Sequence, residues 1–102
     1  MGFTVVDELI EETLSVLHER HELYGDSTEN HTRLAQAWAG FLNTQVSTWD
    51  ALLMMVINKA IRLRMNPHHH DSWVDLLGYV LLAWQAWCER EKKSEEEDHE
   101  RD

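Results

Sequence analysis

The sequence predicts an all-α, four-helix bundle-like domain, and three observations carry that prediction. Apolar residues recur at three- and four-residue spacing along four successive stretches, the signature of helices with one buried side. Turn-forming residues gather in three short gaps, "LYGDSTEN", "NTQVS" and "NPHHH", and no stretch alternates convincingly as a strand. With 102 residues, 43% of them hydrophobic, and five tryptophans, the chain has enough apolar mass for one modest core.

The first helix is expected from about Val5 to about Leu23, with Val6, Leu9, Ile10, Thr13, Leu14, Val16 and Leu17 on one stripe. Its other face is charged: Asp7, Glu8, Glu11, Glu12, Glu19 and Arg20. Gly25 suits a left-handed helix end, and Asp26, Ser27 and Thr28 offer caps. A second helix covers about Glu29 to Leu42, with Leu34, Ala37, Trp38 and Phe41 on one side. Ser47 with Asp50 three residues on forms a capping box that opens a third helix over Thr48 to Met65.

From Ala51 to Ile57 the third helix is apolar on most of its circumference, which predicts a buried, central position. Asn66 and Pro67 end it, because proline disfavours helical geometry in the residue before it. Asp71 or Ser72 then caps the fourth helix, which runs through Trp73, Leu76, Leu77, Tyr79, Val80, Leu82, Ala83 and Trp87 to about Lys93 and folds back on the third as an antiparallel hairpin. Residues 1–93 thus form a single helical domain and 94–102 an acidic, solvated tail.

Composition removes several function classes. Nineteen acidic against nine basic residues leave a net charge of −10, and no basic face is apparent, so duplex nucleic acid is not an expected partner. The one cysteine, Cys88, permits no intrachain disulfide and no cysteine-based zinc cluster. The longest apolar run in the fourth helix, Leu76 to Trp84 apart from Gly78, is far short of the ~20 residues that span a bilayer. With acids from Asp7 onward and no signal-peptide core, the expectation is a soluble cytoplasmic protein with no membrane partner.

Four constellations could carry chemistry. Lys59 and Arg62 lie three apart on a helix that otherwise favours burial, so each needs an acidic partner or a bound anion. Together they could clamp phosphate, Arg62 through its fork and Lys59 as a point charge. Asp71 and Asp75, four apart, could hold Mg²⁺, which favours oxygen ligands; Asp75 could equally pair with Lys59 or Arg62. Of the run His68 to His70, one histidine, His69, is placed at a pocket mouth; three adjacent loop residues do not easily share one metal. In "YGDSTEN", Tyr24, Asp26 and Asn30 are candidate ligand contacts if the loop folds over the junction of the third and fourth helices. His18 and His21 are expected in solvent, and Trp84 and Trp87 read as a subunit interface.

"YGDSTEN", Leu34-Ala35 followed by Trp38, "ALLMMVINKAIRL" and "PHHHDSWVDLLGY" together resemble a family of small, largely uncharacterised proteins of phages, prophages and bacteria. More distantly the layout resembles the MazG-like all-α nucleoside triphosphate pyrophosphohydrolases. That resemblance implies a helical homo-oligomer, dimer or tetramer, in which carboxylate-bound Mg²⁺ serves hydrolysis of a nucleotide to monophosphate and pyrophosphate. The chain departs from the pattern: Lys59 and Arg62 stand where the first carboxylate pair belongs, and the second pair is at best Asp71 and Asp75.

Two expectations follow. As a hydrolase, the protein would bind a nucleotide between the third and fourth helices. Lys59 and Arg62 would take the phosphates, Asp71 and Asp75 would serve as catalytic metal ligands, and Tyr24, Asn30 and His69 would form the rim. As a non-catalytic module, it would be a homo-oligomer assembled through its apolar fourth helix, binding a nucleotide-like ligand or a host protein.

Overall fold

In a computed structural model, which describes the backbone of residues 2–101 and the side chains of residues 2–97, four helices follow one another: α1 (Thr4–Tyr24), α2 (Ser27–Leu42), α3 (Thr48–Met65) and α4 (His70–Arg101). No strand occurs among the described residues. The local signals act where they were expected. Gly25 ends α1 at φ 82° and ψ −157°, outside the expected left-handed helical region but in one that glycine alone readily adopts, and its N–H bonds the His21 carbonyl. Asp26 caps α2 by accepting from the Thr28 N–H at 2.8 Å. Ser47 and Asp50 form the reciprocal capping box, each bond 3.0 Å long.

The start of α4 differs from expectation. Neither Asp71 nor Ser72 is its cap, because the helix has already begun at His70. The turn before it organises itself instead. The Asn66 side chain accepts from the His68 N–H, and the Asn66 carbonyl accepts from the His69 N–H. Trp73 Nε1 donates back to the Pro67 carbonyl at 2.9 Å. Ser72 is therefore buried in the first turn, with its Oγ 2.7 Å from His69 Nδ1. The far end also differs, since α4 continues past Lys93 to Arg101. In the expected tail, the side chains of 94–97 are exposed; those of 98–102 lie outside the described residues.

The pair α3 and α4 makes the most extensive contact, with α2 on α3 and α1 on α4. Its antiparallel sense follows from the partners: Lys59 meets Asp75, and ten residues back along α3, Trp49 meets Trp87, twelve residues onward along α4. Leu52, Ala83 and Ala86 are the buried centre, covered by Trp49, Tyr79 and Leu82. The all-round burial expected of α3 is not met. Ala51, Leu52 and Leu63 point inward, whereas Leu53, Ile57 and Ile61 stay exposed, because no helix covers the side of α3 turned away from α2 and α4. The stripe of α1 divides likewise: Thr13 is buried, while Val6, Ile10 and Leu14 remain in solvent.

Candidate functional site

The last turns of α1, the link Tyr24 to Ser27, the first turn of α2 and the middle of α4 enclose a cleft of about 620 Å³. Gly78 sets its floor. A β-carbon there would stand 3.5 Å from Leu17 Cδ2 and 3.9 Å from Thr13 Cγ2, so α1 comes close to α4 at this point. Thr13 can be buried in that contact because its hydroxyl donates to the Leu9 carbonyl at 2.7 Å. The link is braced by Asn30 Nδ2, which donates to the Tyr24 carbonyl. His31 packs edge-on against Tyr79, and its Nδ1 lies 2.8 Å from the Ser27 carbonyl.

Asp75 is the electrostatic centre. Its Oδ1 accepts from Arg20 Nη2 of α1 at 3.0 Å, and its Oδ2 pairs with Lys59 Nζ of α3 at 2.8 Å. Lys59 and Asp75 are largely buried, with side-chain exposures of 12% and 16%, whereas Arg20 is half exposed. Burial pushes the Asp75 carboxyl up, but hydrogen bonds and charge from Lys59 and Arg20 outweigh it and hold the group below its ordinary value. Two cations share one carboxylate, so the cluster keeps one net positive charge. Arg20 faces the cleft with only one of its guanidinium nitrogens engaged.

Of the residues singled out in the sequence, Tyr24, Asp26, Asn30 and Asp75 line this cleft together. His18 and His21 join them while remaining exposed. Lys59 lies behind the wall, spent on Asp75. The expected phosphate clamp of Lys59 and Arg62 is not assembled. Three residues turn a helix through about 300°, which carries Arg62 away from α4 into solvent, without an ion pair among the described residues. Asp71 and His69 stand at the hairpin end, outside the cleft lining.

The donor set does not fit a carboxylate-held Mg²⁺. Both Asp75 oxygens face cations, and Asp71 is a single exposed carboxylate. Among the described residues, no group of three or more His, Cys, Asp or Glu side chains is placed to hold a metal ion.

Two residues escaped the sequence reading because they sat on what looked like the solvated face of α1. Arg20 follows the buried Thr13 by seven residues, about two full turns, so the period itself places it under the apolar stripe. Glu12 had no such signal; its Oε2 meets His70 Nε2 at 2.6 Å across the α1 to α4 boundary. That contact raises the His70 pKa, chiefly through the hydrogen bond and the charge of Glu12.

No helix among the described residues is long and apolar enough to cross a membrane. No solved structure matches the chain. It is 31% identical over 75 residues to the Gene 55 protein of Mycobacterium phage D29, an alignment that covers 72% of this chain and 50% of that protein. To the Gene 55 protein of Mycobacterium phage L5 it is 36% identical over 63 residues, 61% of this chain and 40% of that protein. The chain thus spans half the length, or less, of these curated relatives. Residues 8–86 match the family described as a domain of unknown function, DUF6378, a span that takes in α1 after its first turn, the whole cleft, α3 and the first half of α4; the chain belongs to that family.

Proposed function

We propose that the protein binds a small phosphate-bearing ligand of the nucleotide type in the cleft between α1 and α4. The observation that carries this reading is Arg20: a half-exposed guanidinium, held in place by Asp75 yet with most of its donors unused, beside a cleft of ligand size. A planar fork of this kind suits phosphate oxygens. Arg20 and Lys59 offset Asp75 and the cleft-lining Asp26, so the cleft is less hostile to an anion than the chain's net charge of −10 implies. Tyr24, Tyr79 and His31 supply flat surfaces for a base, and Asn30 and Gln85 supply polar contacts at the rim. Binding without turnover is favoured over MazG-like, Mg²⁺-dependent hydrolysis, because Asp75 serves the cations rather than a metal.

The test is calorimetric titration of the protein with inorganic phosphate, pyrophosphate and nucleoside mono-, di- and triphosphates, beside the Arg20→Gln variant. Wild-type protein is expected to bind at least one of these, with affinity at least tenfold weaker in the variant. Failure of every member of the panel to bind would overturn the proposal. Pyrophosphate release with Mg²⁺, abolished in Asp75→Asn, would replace it with the hydrolase reading.

A further inference from the structure

Along α4, from Trp73 to Cys88, the only Asp, Glu, Lys or Arg is Asp75, and it points inward to Lys59 and Arg20. The opposite side of that stretch therefore carries no charge to solvate it. Trp73, Val80, Trp84 and Trp87 stand exposed there, Trp84 by 65%, and with Leu77 they recur at alternating spacings of four and three. On α3, Leu53, Ile57 and Ile61 recur every four residues, with Ile57 exposed by 60%. The antiparallel register set by Lys59 with Asp75 and Trp49 with Trp87 puts Ile61 level with Trp73, Ile57 with Leu77 and Leu53 with the stretch before Trp84. The hairpin thus bears two apolar seams side by side, with the spacing by which helices interlock with other helices.

We infer that this face is the interface of a homodimer, its occupant a second copy of the α3 to α4 hairpin. The reason for a second copy, rather than a transient partner, is the weakness of the lone chain's core. Among the described residues its buried apolar residues are Ala35, Ala51, Leu52, Leu63, Val74, Ala83 and Ala86, more than half of them alanine, so that of the large side chains only Leu52, Leu63 and Val74 are buried. Such a chain gains its missing burial only from a partner that is always present, and a copy of itself is one. Area agrees. The chain exposes 8035 Å², against about 6,000 Å² for a compact monomer of this mass. Part of the excess is the charged, projecting end of α4 beyond Cys88. The whole excess is about 2,000 Å², and the smallest permanent homodimers need only about 1,000 Å² of it from each copy.

Sedimentation velocity of the full chain from about 1 to 100 μM tests this. The expected mass is twice 12.0 kDa, with a thermal midpoint that rises with protein concentration. Ile57→Glu and Trp84→Glu should each weaken association at least a hundredfold, whereas Phe41→Glu, at an even more exposed apolar position on α2, should leave the mass unchanged. Unfolding of either hairpin variant would also support the interface, since a lone chain leaves both positions open to water. A monomeric mass throughout, or a dimer broken by Phe41→Glu but not by Trp84→Glu and Ile57→Glu, would overturn it.

Discussion

Lys59 Nζ and Asp75 Oδ2 meet at 2.8 Å between α3 and α4, and the second Asp75 oxygen reaches Arg20 on α1. One carboxylate thereby joins three helices and keeps a largely buried ammonium charge compensated.

Asp75→Ala should be the most damaging single change in this cluster. It leaves Lys59 largely buried without its anion and frees Arg20 from α4. Removing one member of a buried pair costs on the order of 3 kcal/mol, more than Lys59→Met, which removes the buried ammonium and leaves Asp75 still paired with Arg20. Urea unfolding of the two variants measures both, and a smaller loss for Asp75→Ala than for Lys59→Met would contradict the assignment.

The same carboxylate sets an acid limb. Its folded pKa lies below the ordinary 3.8, so its contribution is fully present above that value and is lost as pH falls through the lower, folded value. Asp75→Asn should flatten stability against pH in this acid range. Denaturation curves collected between neutral pH and pH 2 show whether it does.

His70 works in the opposite sense. Glu12 raises its pKa above 6.5, so the stabilisation is present below 6.5 and disappears as pH rises through the folded value. Both side chains are exposed, so the readout is titration rather than stability. In histidine NMR spectra, Glu12→Gln should lower the His70 pKa toward 6.5; an unchanged value would show that the contact does not persist in solution.

Gly78→Ala should be tolerated. The new methyl would meet Leu17 and Thr13 at ordinary contact distance, and replacing a helix-interior glycine is worth about 0.5–1 kcal/mol. Thermal unfolding should show a raised midpoint, while Gly78→Leu should lower it by displacing α1. A lower midpoint in the alanine variant would mean that α1 lies closer to α4 than described.

Some residues of the cleft were legible in advance, but neither its place nor its cation: a ligand was expected between the third and fourth helices, whereas the cleft lies between α1 and α4. Tyr24, Asp26 and Asn30 were visible because loop chemistry is local, and Asp75 because a lone acid among Trp73, Val74, Leu76 and Leu77 demands a partner. Arg20 was assigned to the charged face of α1 on residue type, although its seven-residue offset from Thr13 pointed inward. Lys59 and Arg62 looked like one clamp because they are a turn apart, yet about 60° of rotation separates a buried partner from an exposed one.

The sequence by itself determined the four helices, the gaps between them and the caps of α2 and α3, since hydrogen bonds between residues two to four apart and apolar periodicity are properties of the local chain. Only the tertiary structure decided which charges meet and which apolar stripes stay open. Those outcomes depend on the crossing of α1 over α4 at Gly78 and on the register of α3 against α4. Side chains far apart in sequence choose partners only after the backbones are placed, and a helix apolar all round, such as the first half of α3, does not state how many of its sides one chain has helices to cover.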